Sequence, residues 1–299
     1  SRHSVEKFNN LKFTDALDRL NIHHLVTDDI SNKSVELFLE SLGNKFFLSL
    51  GAAWIFKSDL LDQVFGGKLL NAHGTRLPIN RGGGGFSWQI LMGNKLGFCQ
   101  LHLIDSGVDT GDIILTEEFL YPESCRVPLD FEKFYNVKLL KILKDIIYKS
   151  SKTELSFTRT KQSDYLSTYW PRLSTEINAF LDWSWEICDI ERFICAFDSP
   201  YSGAKTFLNG QKVALKKCSV DFGDSSFHPY QTGIIYKKNS KWLSVAKESG
   251  SILIEEIIDE TGKNLIEDVQ LGDRFYTPSS CIESAKQRVL FTPAGQKLA

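Results

Sequence analysis

Phe46-Phe47-Leu48-Ser49-Leu50 is an almost unbroken apolar run, stopped by Gly51. A strand with one face in water alternates, whereas one that reads apolar along its length is covered on both faces, as in a parallel sheet flanked by helices. This run directs the chain toward an α/β architecture, and its neighbours agree. Residues 34–42 place Val35, Phe38, Leu39 and Leu42 at helical spacing. Leu69-Leu70 predicts the next strand, residues 86–92 a helix, residues 97–104 and 113–119 two further strands. Residues 129–148 carry a long helical pattern through Leu139, Leu140, Leu143, Ile146 and Ile147. Ahead of the run, residues 5–20 read as a helix and residues 22–26 as a short strand.

The second half has a different texture. Residues 151–171 are polar up to Tyr169-Trp170-Pro171 and read as a linker. Residues 189–197 read as a short helix. Residues 205–208 and 212–216 flank Asn209-Gly210, whose readiness for positive φ makes a strong hairpin signal. Strands over 233–236, 242–246 and 252–258 complete a small antiparallel barrel, with a closing helix over 282–289. At 299 residues the chain has room for two domains, read as 1–150 and 172–299 around the linker. No apolar run approaches the ~18 residues of a membrane span, and the start does not read as a secretory signal. Six cysteines include no Cys-x-x-Cys pair, which argues against a zinc site or a disulfide framework and for reduced thiols in a cytoplasmic setting. A net charge of −2 supplies no broad attraction to nucleic acid or to anionic membrane.

The chemistry sits at the ends of the predicted strands. Asn71-Ala72-His73 follows Leu69-Leu70, and Asp105-Ser106-Gly107-Val108-Asp109-Thr110-Gly111-Asp112 follows the strand at 97–104. In open α/β sheets the ligand crevice lies outside the carboxyl ends of the strands. An amide, an imidazole and a carboxylate placed there are the groups needed to move an acyl unit between nitrogens. Such a transfer builds negative charge on the former carbonyl oxygen and releases a proton from the attacking amine. Asn71 offers an uncharged donor. His73 can donate or accept near neutral pH, and Asp109 can orient the imidazole, stabilise its cation or take a proton through water. A single histidine beside an apolar strand is more often structural; three such elements in one order favour function.

With Leu77-Pro78-Ile79-Asn80-Arg81-Gly82 between them, these motifs resemble the folate-dependent formyltransferases, which carry Asn-x-His, a Leu-Pro-x-x-Arg-Gly loop and Asp-x-Gly-x-Asp-x-Gly. A weaker likeness to the carboxyl-terminal barrel of the methionyl-tRNA and sugar formyltransferases runs through Asp182-Trp183, Phe197-Asp198-Ser199-Pro200-Tyr201-Ser202-Gly203 and Phe207-Leu208-Asn209-Gly210. The resemblance implies a Rossmann-like formyltransferase core followed by that small barrel. It implies Asn71, His73 and Asp109 as the catalytic trio and N10-formyltetrahydrofolate as donor, with no metal. It also sets the folate beside the loop of Asp105 and Gly107 and near Trp54 and Ile55, with Trp54 bordering or stacking on the pterin. Asp105 and Asp112 read as loop caps as well. The chain opens at Ser1 with no methionine, and the resemblance puts one βα unit and a second strand ahead of it. The expectation is therefore a core without its first βα unit.

The pattern departs from the family where the acceptor amine should arrive. Gly74-Thr75-Arg76-Leu77-Pro78 carries an arginine in place of a leucine, and Gly82 to Gly85 form an unusual glycine run. Arg76 and Arg81 are candidate phosphate clamps, since a guanidinium matches phosphate oxygens in a bidentate way; the alternative is a pair of solvated loop arginines. Residues 171–299 hold 15 Lys and Arg against 17 Asp and Glu, a poor balance for gripping RNA. The favoured acceptor is a nucleotide-linked amino sugar. Methionyl-tRNA, water in a formyltetrahydrofolate hydrolase, and a folate-binding module without turnover stay open beside it.

Overall fold

The computed structural model describes residues 7–8, 10–42, 46–51, 56–83, 85–152, 157–223, 226–292 and 295–298. It begins with a hairpin, β1 (Lys7–Phe8) and β2 (Leu11–Lys12), followed by α1 (Phe13–Arg19). The helix expected over 5–20 is confined to its later part, because Asn10 takes φ 64° and reverses the chain. Residues 22–26 form no strand; Ile22, Leu25 and Val26 are exposed. Next comes α2 (Lys33–Ser41), as expected, its first turn capped by the Asn32 side chain accepting from the Ser34 N–H at 3.1 Å.

β3 (Phe47–Ser49), α3 (Ser58–Gln63), β4 (Leu69–His73), β5 (Arg81–Gly82), α4 (Gly85–Leu91), β6 (Leu96–Leu103), β7 (Ile113–Leu120) and α5 (Pro128–Lys152) follow. β3, β4, β6 and β7 form one sheet in that order. β3 runs parallel to β4, as its apolar run predicts, while β6 is antiparallel to both its neighbours, so the sheet is mixed. Phe131, Tyr135, Leu139, Ile142 and Ile146 make a buried stripe along α5, the last four packed with Cys99 and Leu101 of β6. Asn71 and His73 lie inside β4 rather than past its end, and they pair in register with His102 and Gln100 of β6.

The later half contains β8 (Tyr169–Trp170), α6 (Thr175–Asn178), α7 (Ile187–Ala196), β9 (Ala204–Leu208), β10 (Gln211–Asp221), β11 (Ile235–Lys238), β12 (Leu243–Lys247), β13 (Gly250–Ile258) and β14 (Phe275–Tyr276). After them come α8 (Ser279–Ala285), β15 (Val289–Thr292) and β16 (Gly295–Leu298). Six antiparallel strands run in the order β11-β12-β13-β10-β9-β14, and a bridge between Ile234 and Arg274 joins the two ends into the expected barrel. Asn209 (φ 50°) and Gly210 (φ 85°) make its tight β9–β10 turn. α7 buries Ile187, Ile190, Phe193 and Ile194 in the barrel's core, each contributing roughly 1.5–3 kcal/mol of transfer free energy. The helix expected over 282–289 starts earlier, at Ser279 after Pro278, and Val289 opens β15 instead.

Residues 157–171 are anchored to the first half. Thr160 pairs with Ile113, β8 runs parallel to β5, and Gln162 is buried. One apolar cluster crosses this segment, joining Ile90, Tyr121 and Phe131 to Ile190, Phe193 and Leu215. The six cysteines are free thiols. Among the described residues no helix is long and apolar enough to cross a membrane.

Candidate active site

Strand alternation puts Asn71 and His73 on the same face of β4. The β4–β6 register then sets His102 directly beside Asn71, whose Nδ2 donates to His102 Nε2 at 3.1 Å. His102 Nδ1 donates to the Leu103 carbonyl at 2.7 Å, and Nε2 lies between Asn71 Nδ2 and Asp109. His73 is fixed by the same logic. Its Nε2 lies 2.7 Å from the Asn80 carbonyl, an acceptor only, so Nε2 carries the proton and Nδ1 the lone pair. Thr75 Oγ1 lies 2.8 Å from the same nitrogen and donates to the Asn80 carbonyl. Behind them the buried Gln100 accepts from the Leu77 N–H at 2.6 Å and donates to Thr116, pinning the 74–80 loop to the sheet.

Asp109 enters from the loop between β6 and β7. It sits at φ 54°, and its Oδ2 accepts from the Gly82 N–H at 2.9 Å. Oδ2 lies 3.8 Å from His73 Nδ1, and Oδ1 lies 3.4 Å from His102 Nε2. Sterics explain the glycine after Thr110: a Cβ on Gly111 would lie 2.0 Å from the Leu103 carbonyl oxygen. Asp105 acts as the expected cap, its Oδ1 accepting from the Gly107 N–H and from the Thr110 hydroxyl. The loop is also held from outside. Gln162 Nε2 donates to the carbonyls of Asp109 (2.9 Å) and Gly111 (2.7 Å), while its Oε1 accepts from Arg81 Nε at 3.1 Å.

Burial pushes the His73 imidazole below its ordinary pKa, only partly opposed by Asp109 and the Asn80 carbonyl, so the ring is neutral near pH 7. Burial alone would raise Asp109; the His102 contact, the His73 ring and the Gly82 N–H together hold it below the usual carboxylate range. The site at rest is therefore a neutral imidazole facing an ionised carboxylate. Ligand atoms of His73, His102 and Asp109 fall within 4.8 Å of one another, a spacing a metal ion could bridge. Donors from Asn71 and Gly82 already serve this cluster, which favours proton handling.

Asn71, His73, His102, Asp105, Gly107 and Asp109 line one cavity of about 500 Å³ together with Tyr169, Arg172 and Arg288. The trio expected from sequence is thus brought together, with Asp105 and Gly107 at its rim. Trp54 and Ile55 lie outside the described residues, though Gly51 and Phe56, on either side of them, line the cavity. The two arginines are placed otherwise than expected. Arg81 is buried and engaged with Gln162 and, through Nη1 at 3.1 Å, with Asp164, so it braces the Asp109 loop instead of clamping a phosphate there. Arg76 is exposed, its guanidinium 5.6 Å from the Phe98 ring centroid, on a separate cavity behind the glycine run. Sequence reading missed His102 and Gln162. The alternation of the 97–104 strand carried a signal for His102, which shares the parity of Gln100; Gln162 had none.

A family model described as the formyl transferase C-terminal domain matches residues 174–270. The methionyl-tRNA formyltransferase of Ruminiclostridium cellulolyticum is 29% identical over 241 residues, covering 80% of this chain and 75% of that protein. An N-formyltransferase from Helicobacter canadensis, solved with folinic acid and dTDP-3-aminofucose, superposes with a TM-score of 0.57 at 19% identity over 82% of each chain. HypX from Aquifex aeolicus, solved with tetrahydrofolic acid, superposes with a TM-score of 0.55 at 16% identity, over 77% of this chain and 38% of that one. At these identities the three-dimensional likeness is one of fold.

Proposed function

We propose that this chain is a folate-dependent formyltransferase, on its likeness to that family, and that it transfers the formyl group of N10-formyltetrahydrofolate to the amine of a nucleotide-linked amino sugar. The observation that carries the reaction is His73, with Nε2–H held on the Asn80 carbonyl and the Nδ1 lone pair directed toward Asp109. Nδ1 takes the proton that the attacking amine loses, and the carboxylate 3.8 Å away stabilises the imidazolium that results. Asn71 spends one N–H on His102 and keeps the second for the oxygen that becomes negative. His102 and Gln162 position Asn71 and Asp109 without touching the reacting atoms. A cavity of about 500 Å³ with a polar rim suits a folate head group and an acceptor side by side.

The sugar acceptor is supported by the negative balance of residues 171–299 and by Arg172 and Arg288. Two arginines on the same cavity as the trio can pair with a diphosphate, whereas tRNA needs a broad basic face. The identity to methionyl-tRNA formyltransferases favours a second reading with tRNA as acceptor. Tetrahydrofolate formation from N10-formyltetrahydrofolate, measured with 3-amino and 4-amino nucleotide sugars, with Met-tRNA and with no acceptor, decides between them. Turnover with an amino sugar is expected. Turnover with Met-tRNA alone would replace the sugar reading, and acceptor-independent turnover would make the enzyme a hydrolase.

A further inference from the structure

Cys195, in the last turn of α7, and Cys218, within β10, are both buried, with their sulfurs 4.0 Å apart. Arg126 reaches them from the loop between β7 and α5. Its Nη2 donates to Glu191 and to the Cys218 carbonyl, each at 2.7 Å, and lies 3.8 Å from the Cys195 sulfur. The two thiols thus sit at the seam where the first half of the chain is tied to the barrel. Cys195, Arg126 and Glu191 line a cavity of about 230 Å³ that shares no residue with the catalytic cavity. Cys218 is off that cavity, its thiol turned to Cys195 or to the Glu191 carbonyl at 3.7 Å.

The two sulfurs are unequal. A guanidinium beside a sulfur favours the thiolate, which is the reactive form. The hydrogen bond from Cys218 lowers the Cys195 pKa and Arg126 adds to this, against burial. The same neighbour and burial raise Cys218. Cys125 lines the same cavity, but burial and the Asp130 charge push its thiol up, and its sulfur donates to the Asp130 carbonyl at 3.8 Å.

We propose that Cys195 and Cys218 form a peroxide-reactive dithiol, with Cys195 as the attacking sulfur and Cys218 as the resolving one. The site is separate from formyl transfer and does not depend on which acceptor the enzyme uses. Hydrogen peroxide is small enough to enter the cavity. The Cys195 thiolate attacks one peroxide oxygen, forming an S–O bond as the O–O bond breaks. Hydroxide leaves and takes up the proton that the thiol released, so the peroxide is reduced and the sulfur becomes a sulfenic acid. The Cys218 sulfur then attacks the sulfenic sulfur, and the hydroxyl departs as a second water with the Cys218 proton. The disulfide needs the sulfurs to close from 4.0 Å to ~2.05 Å, a change that side-chain rotation has to supply. Exposure alone would favour Cys188 and Cys281, the two thiols that are only partly buried; the arrangement around Cys195 reverses that order.

The test treats the reduced full chain with hydrogen peroxide, alkylates it under denaturing conditions and maps the peptides by mass spectrometry. The mass should fall by two hydrogens. A Cys195–Cys218 cross-link should appear roughly tenfold or more faster than oxidation of Cys188 or Cys281, and dithiothreitol should reverse it. Cys218→Ser should stop at a sulfenic acid on Cys195 that dimedone traps. Arg126→Gln, shown to be folded by circular dichroism, should slow closure roughly tenfold. The parent chain decides the matter even if a variant fails to fold. No cross-link, a cross-link of either cysteine to Cys125, earlier oxidation of Cys188 or Cys281, or an undiminished rate in folded Arg126→Gln overturns the site.

Discussion

Asp109→Asn isolates the electrostatic part of the site. The amide keeps the size of the carboxylate and an oxygen for the Gly82 N–H, so the loop retains its main anchor. What it loses is the charge 3.8 Å from His73 Nδ1. At an effective dielectric of about 20, opposite unit charges near 4 Å attract by about 4 kcal/mol. That figure is a ceiling, because the Asp109 side chain is 16% exposed and partly screened. With one decade of rate per ~1.36 kcal/mol, kcat should fall by about 10² to 10³. The pH profile adds a second readout. Burial already sets the His73 pKa below its ordinary value and Asp109 partly restores it, so removing the charge moves the acid limb of kcat/KM to still lower pH. The assay is the initial rate of tetrahydrofolate formation between pH 5 and 8. A variant within tenfold of the parent at pH 7, with its acid limb unmoved, would refute the assignment of Asp109 as the group that stabilises protonated His73.

Gln162→Leu should lower kcat by roughly tenfold or more and leave donor KM within a few-fold, because the carbonyls of Asp109 and Gly111 lose their shared donor; an unchanged kcat would make Gln162 part of the linker alone. Gly111→Ala forces a methyl to 2.0 Å from the Leu103 carbonyl oxygen and should destabilise the fold by about 1–3 kcal/mol, read as a lower Tm; an unchanged Tm would show that this turn can yield. His73 is depressed by burial, so its contribution to stability is complete above about pH 6.5 and is lost as pH falls through its folded pKa. The Tm of the parent should therefore drop on acidification from pH 7 to 5, and His73→Gln should drop less; equal losses would count against a buried neutral imidazole. Arg172→Ala combined with Arg288→Ala should raise KM for a nucleotide-linked acceptor about tenfold while kcat stays within a few-fold. A KM that does not move would place the phosphates elsewhere.

The parts of the fold legible in the sequence were those determined by local rules. The apolar run at 46–50 gave a parallel strand, Asn209-Gly210 gave its turn, and the stripe from Phe131 to Ile146 gave α5. Boundaries failed where one residue's backbone decided the matter, as at Asn10, whose positive φ replaces half a helix with a hairpin. Residues 22–26 failed for a different reason: a strand exists only if another strand takes up its backbone groups, and composition does not name the partner.

The same division runs through the site. Asn71, His73 and Asp109 were legible because their chemistry travels in short motifs with fixed spacing. His102 was not, because its role depends on register: one residue of slip between β4 and β6 would turn it to the opposite face and leave Asn71 without its acceptor. Arg81 shows the opposite error. An arginine beside a glycine run reads as a phosphate clamp, yet Gln162 and Asp164, far along the chain, claim two of its nitrogens. Only the third is left unpaired, and it is buried. What a charged side chain can do is thus decided by which of its atoms the fold has already used. A residue list omits that information, and a hydrogen-bond census restores it.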